Sequence, residues 1–304
     1  MKAIIDLGTN TFHLLIAEVK NGMINEYFKL QVPVKIGKGG INKGLITSDS
    51  FIRGLTALAE FRKYLDQFGI TQVHAFATSA IRDAVNGTEF INEAKKLHQI
   101  DIAAINGDAE ATFIFEGVIH SFKVPDENIL VMDIGGGSVE FIIGCNNNIL
   151  WKNSFDLGAA RLIEKFQPLD PITEKEIVEI RNYFNDKLKP LKDALKKYPT
   201  KILVGSAGSF ETLVDVVLKD LEVIPNTLSK NAFEIRHEDF DVFYELMMTS
   251  KIEQRSKLKG MIDFRIEMIV VAALLMKFVV QEFEIKKIIA SNYSMKEGVL
   301  FSED

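Results

Sequence analysis

Ile5-Asp6-Leu7-Gly8-Thr9-Asn10-Thr11-Phe12-His13-Leu14-Leu15-Ile16 has a counterpart in Met132-Asp133-Ile134-Gly135-Gly136-Gly137-Ser138-Val139-Glu140-Phe141-Ile142-Ile143. The two align residue for residue: apolar, Asp, apolar, Gly, two variable turn positions, a hydroxyl, then an apolar run. Each copy reads as a short buried strand ending in an acid, a small-residue turn and a returning strand. A repeat of this kind predicts two similar α/β lobes, each opening with a glycine-turned hairpin, facing each other across a cleft. The boundary falls in Phe122-Lys123-Val124-Pro125-Asp126-Glu127-Asn128. That divides the chain into an N-terminal domain, 1–124, and a C-terminal domain, 125–304.

The length agrees, since 304 residues suffice for about two domains. Apolar residues at 47% and charged residues at 26% are ordinary globular values and exclude wholesale disorder. The net charge of −6 argues against a surface built to grip nucleic acid. A single cysteine, Cys145, excludes an intrachain disulfide and a cysteine zinc cage, and fits a reducing, cytoplasmic setting. The opening Met1-Lys2-Ala3-Ile4-Ile5 is broken by Asp6, so it is not read as a signal peptide, and no apolar run nears the roughly 20 residues of a membrane span.

Periodicity predicts helices over 50–68, 90–98 and 109–121, and strands over 73–77, 101–105 and 129–132. In the second half, Thr173 and Glu176 have capping-box spacing, and Pro190 should split the helix they begin. Lys201 to Val204 reads as a strand, Gly205-Ser206-Ala207-Gly208-Ser209 as a small-residue loop, and a helix is expected from Glu211. Arg265 to Phe283 is apolar nearly all round, as in a buried central helix.

A strand that feeds a glycine turn exposes successive backbone N–H groups, and glycine lets phosphate oxygens approach without a Cβ in the way. Thr9, Thr11 and Ser138 can add hydroxyl donors. Asp6 and Asp133 would point carboxylates into the cleft; facing a polyphosphate, two acids make sense only with a divalent cation between them.

Four motifs occur in order: Asp6 to His13, Ala77-Thr78-Ser79-Ala80-Ile81-Arg82, Asn106-Gly107-Asp108-Ala109-Glu110-Ala111 and Asp133 to Glu140. Gly205 to Ser209, Gly260 to Glu267 and Ser291 to Gly298 extend them. The chain therefore resembles, over essentially its whole length, the exopolyphosphatase / guanosine pentaphosphate phosphohydrolase family of the actin-like ATPase superfamily. The resemblance implies two actin-like (ribonuclease H-like) domains and, because the chain ends where those would end, the short two-domain form. It further implies metal-dependent release of terminal orthophosphate from polyphosphate, guanosine pentaphosphate or both, with Mg²⁺ or another divalent cation.

Carried over residue by residue, the catalytic acid is Glu110, which would orient or deprotonate the attacking water. Gly8, Thr9, Asn10 and Thr11, with Gly135, Gly136, Gly137 and Ser138, match the two phosphate-binding loops. Asp6, Asp133 and Glu140 match the acids that hold the cation. Arg82 either offers a fork to phosphate or pairs with Asp83 at the surface. Arg265 either binds phosphate or caps the apolar helix. His13, where relatives carry His or Arg, either bears on substrate preference or packs as a strand histidine.

Four positions depart from the family pattern. Ala109 replaces an acid and Thr112 an arginine around Glu110. In Ser291-Asn292-Tyr293-Ser294-Met295-Lys296-Glu297-Gly298, Asn292 stands for Asp and Lys296 for Arg. These changes are expected to remove positive charge and one acid from the neighbourhood of the site. Neither half of the chain is basic, so loops, cation and a few local bases must bind the polyanion; Lys35, Lys38, Lys43, Arg255, Lys257 and Lys259 are candidates. A sensor that binds polyphosphate or an alarmone without turnover is one alternative, and an actin-like sugar kinase is another. Neither a nucleic-acid nor a membrane partner is expected, and a homodimer is left open.

Overall fold

The computed structural model describes residues 1–302. The first half supplies β1 (Lys2–Leu7), β2 (Phe12–Lys20), β3 (Met23–Val32), α1 (Ser48–Gln67), β4 (Val73–Ala77), α2 (Ser79–Arg82), α3 (Gly87–His98), β5 (Ile102–Ala104) and α4 (Gly107–Ser121). The second begins with β6 (Asn128–Ile134), β7 (Val139–Cys145), β8 (Asn148–Phe155), α5 (Ala159–Phe166), α6 (Glu174–Lys187), α7 (Lys189–Lys197), β9 (Ile202–Ser206) and α8 (Ala207–Lys219). It continues with β10 (Asn226–Ser229), β11 (Ala232–Ile235), α9 (His237–Thr249), α10 (Ile252–Arg255), α11 (Met268–Glu282), β12 (Lys287–Ser291) and α12 (Met295–Ser302).

The repeat is visible in the sheets. The first has the order β3-β2-β1-β4-β5, an antiparallel meander with two parallel strands added. The second contains the same unit as β8-β7-β6-β9-β12, extended by antiparallel β11 and β10. The fold is thus α/β, with two actin-like lobes.

Side chains on successive strand residues point to opposite faces, and both faces of each sheet are covered. In β1, Ala3, Ile5 and Leu7 pack with Leu58, Phe61 and Leu65 of α1 and Phe90 of α3, while Ile4 turns the other way onto Val299 and Leu300 of α12. In β6, Leu130 and Met132 join Phe210 and Leu213 of α8 and the buried face of α11; Ile129 and Val131 meet Ile114, Phe115 and Val118 of α4. The chain therefore crosses itself. Helix α4, preceding the second sheet, packs on that sheet; α12, the last element, returns to the first.

Helices α4 and α12 also pack on each other between the sheets. Glycine makes this approach feasible, because a Cβ on Gly117 would stand 2.2 Å from the Ser294 carbonyl oxygen. The two helices start at the same end of the layer, which is where the cleft lies.

Local signals are mostly honoured. The Thr47 hydroxyl accepts from Ser50 N–H to start α1, Asn106 caps α4, Thr173 and Glu176 form the capping box of α6, and the break before α7 falls at Leu188, two residues before Pro190. One reading is corrected. Gly205 to Ser209 is not a loop with a helix from Glu211: Gly205 and Ser206 end β9 and α8 begins at Ala207, so the turn is compressed to a single residue with φ 62°. Arg265 lies in a 3-10 turn ahead of α11, whose helix spans Met268–Glu282. No helix among the described residues is long and apolar enough to cross a membrane.

Candidate active site

Register places the acids. Asp6 is directly opposite His13 in the β1–β2 pair, and Asp133 is directly opposite Glu140 in β6–β7. Opposed residues share a face. Asp6 and His13 therefore share the face of Ile4 and Leu15, which α12 covers, whereas Asp133 and Glu140 share the face of Val131 and Ile142, which α4 covers. The first turn of α4 delivers Glu110 and the first turn of α12 delivers Lys296. All six residues except Glu140 line one pocket with an empty volume of about 980 Å³, together with both glycine turns, Thr78, the start of α8 (Ala207 to Ser209), Glu211, Arg265 and Ser294.

Both turns are tied back by their carbonyls. The Thr9 and Asn10 carbonyls accept from Gly37 N–H (3.2 Å) and Lys35 N–H (2.7 Å). The Gly135 and Gly136 carbonyls accept from Ala159 N–H (3.0 Å) and Ala160 N–H (2.9 Å), and Gly137's from Arg161 Nε (2.9 Å). In a trans peptide the N–H points opposite to the carbonyl. The N–H groups of Asn10, Thr11, Gly136, Gly137 and Ser138 consequently face away from those anchors, which gives each turn a row of backbone donors of the kind that can cradle an anion. The lobes stand close together: a Cβ on Gly137 would meet Thr9 Oγ1 at 2.5 Å and Ser79 Oγ at 2.6 Å. Gly158 is needed as well, since a Cβ there would lie 2.4 Å from the Gly136 carbonyl carbon.

The carboxylates are crowded. Burial pushes Asp6 and Asp133 up to about 6; Lys296 pulls Asp6 down, and the Ser206 hydroxyl, donating to Asp133 Oδ2 at 2.6 Å, pulls Asp133 down. Burial, followed by the Asp133 charge, raises Glu140 to about 7, although Ser154 Oγ donates to its Oε1 at 2.6 Å. Burial, followed by the charges of Glu140, Asp6 and Asp133, lifts Glu110 well above the usual carboxylate range. Its Oε2 is buried without a hydrogen-bond partner, with Arg82 Nη1 at 3.7 Å.

His13 is held well below the usual histidine value by burial and then by Lys296 and Arg265, so its imidazole is neutral at pH 7, and its Nδ1 is unpartnered. Burial opposes charge on Lys296, but Glu297, Asp6, Glu211 and Asp133 outweigh it and hold the ammonium above the ordinary lysine range. The expectation that the Ser291–Gly298 departures strip charge from the site is thereby corrected: Lys296 keeps a cation between the two strand-end acids. Thr112 likewise has a cation beside it, because Lys152 Nζ of β8 donates to its Oγ1 at 2.6 Å and to the Asp108 carbonyl at 2.9 Å.

The arginines occupy different places. Arg82 pairs with Asp83 through Nε (2.8 Å) and Nη2 (3.1 Å), reaches the Ile105 carbonyl, and stays on the edge beside Glu110. Arg265 lines the pocket, bonds the Gly208 carbonyl and Thr212 Oγ1, and meets Glu211 at 3.3 Å. Arg255 is buried against Asp170 and the Ile266 and Ser250 carbonyls, so it belongs to the core of its lobe rather than to a polyanion track.

The pocket's donors are carboxylate, hydroxyl and carbonyl oxygens, the set a hard divalent cation prefers. Among the described residues no three acidic or histidine side chains converge as a ready-made cage. The orphaned Glu110 oxygen and the mutually repelling acids fit an ion that takes only part of its shell from protein, as Mg²⁺ does.

Residues 15–304 match the Ppx/GppA phosphatase family. The chain belongs to that family. A Haemophilus influenzae member, named as a candidate exopolyphosphatase, is 29% identical over 99% of this chain and 90% of its own length. The crystal structure of an exopolyphosphatase from Cytophaga hutchinsonii superposes with a TM-score of 0.94 at 38% identity, covering 99% of this chain and 96% of the other. The Aquifex aeolicus Ppx/GppA enzyme superposes at 0.80 with 26% identity, covering 99% and 98%.

Sequence reasoning named the two cradles and their acids. It passed over Ser206 and Ser154 as the donors to Asp133 and Glu140, over Lys296 as the buried counter-charge, and over Arg161. The Ser206 contact was signalled by its place at a strand end in a small-residue stretch; the other three depend on pairings across strands and lobes.

Proposed function

We propose that the protein is a metal-dependent phosphoanhydride hydrolase that removes terminal orthophosphate from inorganic polyphosphate, with guanosine pentaphosphate as a further substrate to be tested. The observation that carries this reading is the Glu110 carboxylate, its Oε2 unpartnered, at the mouth of two opposed cradles of backbone N–H groups. Family membership and the Cytophaga exopolyphosphatase relative support the substrate class.

The Asn10–Thr11 and Gly136–Ser138 amides would receive non-bridging oxygens of the terminal phosphates. Asp133, Glu140 and Asp6 would hold the divalent cation, which when bound supplies charge neutralisation of the phosphoryl oxygens. Glu110 orients a water and takes its proton as the water oxygen bonds to the terminal phosphorus. The bridging P–O bond breaks, and orthophosphate and a chain one unit shorter leave. A Glu110 pKa raised above the usual carboxylate range by burial makes it a stronger base than an ordinary carboxylate. Lys296 and Arg265, at the pocket wall, offset charge on the incoming chain.

The test is phosphate release with Mg²⁺ from long-chain polyphosphate and from guanosine pentaphosphate in parallel, with Glu110→Ala as control. Release from polyphosphate that disappears in the variant is expected. Release unaffected by the variant contradicts the role of Glu110; tight binding without any release favours the sensor reading.

A further inference from the structure

Helix α5 belongs to the second lobe, yet its polar side chains reach the first. Arg161 stands at the join. Its Nε donates to the Gly137 carbonyl at 2.9 Å, its Nη1 to the Ile41 carbonyl at 3.3 Å and its Nη2 to Ser79 Oγ at 3.3 Å. Asp156 lies 3.3 Å and Asp83 3.9 Å from Nη2. Glu164, three residues on and so on the same helix face, accepts from the backbone N–H groups of Gly39 (3.0 Å) and Asn42 (3.3 Å), while Asn42 Nδ2 returns a bond to the Arg161 carbonyl at 3.1 Å. The Arg161 side chain is only 14% exposed and stands behind the second cradle, outside the pocket.

We propose that Arg161 is a positioning residue: it holds the Gly135–Ser138 cradle in its phosphate-accepting shape, and does so only while the lobes are closed. The proposal rests on the reading that this cradle binds substrate phosphate. Drawing the Gly137 carbonyl outward turns the Ser138 N–H inward. Gly136 and Gly137 have no Cβ to restrict that peptide, so its orientation must be imposed from outside. If the lobes part, Arg161 loses Ile41 and Ser79 and keeps only Asp156 and the Gly137 carbonyl, so its guanidinium is less constrained and the Gly137 peptide is freer to turn. Closure on substrate and completion of the cradle thus become one event. A lysine cannot replace the planar fork, because three acceptors in three directions are engaged at once.

The test uses Arg161→Ala, Arg161→Lys and Glu164→Gln, reading phosphate release from tripolyphosphate with Mg²⁺, the interlobe distance from spin labels on α1 and α6 without substrate, and thermal melting. The expected result for both Arg161 variants is kcat about 30-fold lower with KM changed less than about 3-fold, a widened interlobe distance, and a Tm within about 3 °C of wild type. Guanidinium ion restores part of the Arg161→Ala rate. Glu164→Gln widens the distance with a smaller loss in kcat. Wild-type kcat in Arg161→Lys, or a loss that appears mainly in KM, overturns the proposal, and so does an unchanged interlobe distance in Arg161→Ala. If the Arg161 variants do not fold, an unchanged distance and rate in Glu164→Gln overturn it. If wild type itself releases no phosphate, the hydrolase reading fails separately, and the label distances still decide whether Arg161 holds the lobes.

Discussion

The two cradles share a backbone plan and differ in the residue opposite each strand-end acid. In the first lobe that residue is His13, neutral at pH 7 and flanked by Lys296 and Arg265. In the second it is Glu140, whose carboxylate stands beside Asp133 and raises Glu110 further. One register position thus divides the labour of the cleft. Negative charge accumulates at the second strand-end acid, where a cation would be needed most, whereas the first strand-end acid faces a neutral ring, with Lys296 of α12 and Arg265 of the second lobe nearby. The repeated hairpin supplies the geometry; the side chain opposite the strand-end acid in each copy makes the halves chemically different.

The largest effect should come from the residue that belongs to neither cradle. Glu110→Gln is expected to lower kcat by about 10³-fold, within the range for loss of a positioned general base, leaving the melting temperature at or above that of wild type. Next, Glu140→Gln should reduce turnover by about 100-fold at limiting Mg²⁺ and raise the Mg²⁺ concentration needed for half-maximal rate. His13→Ala should change kcat by less than about 10-fold and act instead on the ratio of polyphosphate to guanosine pentaphosphate hydrolysis. Equal losses in the two variants, with equal cation dependence, would erase the distinction between the lobes.

Stability should follow the same division. Asp6 and Asp133 are raised from 3.8 to about 6 and Glu140 from 4.5 to about 7. Between those limits the folded chain binds more protons than the unfolded one, so the stability these acids contribute is complete below about pH 4, declines as pH rises from there, and is lost above about 7. Metal-free protein should melt about 5 °C lower at pH 8 than at pH 5, and Glu140→Gln should flatten that slope more than His13→Ala does. Activity should fall below pH 6, where the acids proposed to hold the cation take up protons. The smallest effect belongs to the periphery: Thr112→Ala, which removes the hydroxyl bonded by Lys152, should alter Tm by less than about 2 °C and kcat by less than 3-fold, since the pair is solvent-accessible.

Much of this was legible in the chain. The repeat of apolar-Asp-apolar-Gly announced two equivalent hairpins, and strand-and-turn chemistry marked them as candidate anion sites. Glu110 could be placed just inside a helix because the periodicity of 109–121 predicts one there. The crossing of α4 and α12 was not legible, because it depends on which sheet each helix finds, and nothing local to Gly117 or Gly298 names its partner. Lys296 read as a lost arginine for the same reason: its value depends on Asp6 and Asp133, both well over a hundred residues away in the chain. Gly205 to Ser209 misled because small residues there serve tight strand-to-helix packing as well as a loop.

Equilibrium binding of tripolyphosphate to Glu110→Gln with Mg²⁺, measured beside its rate of phosphate release, tests the central assignment most directly. The account predicts an affinity within about 3-fold of wild type and release lower by about 10³-fold, because the cradles and the cation gather the chain while Glu110 acts only on water. Binding lost together with hydrolysis, or hydrolysis retained, would contradict it.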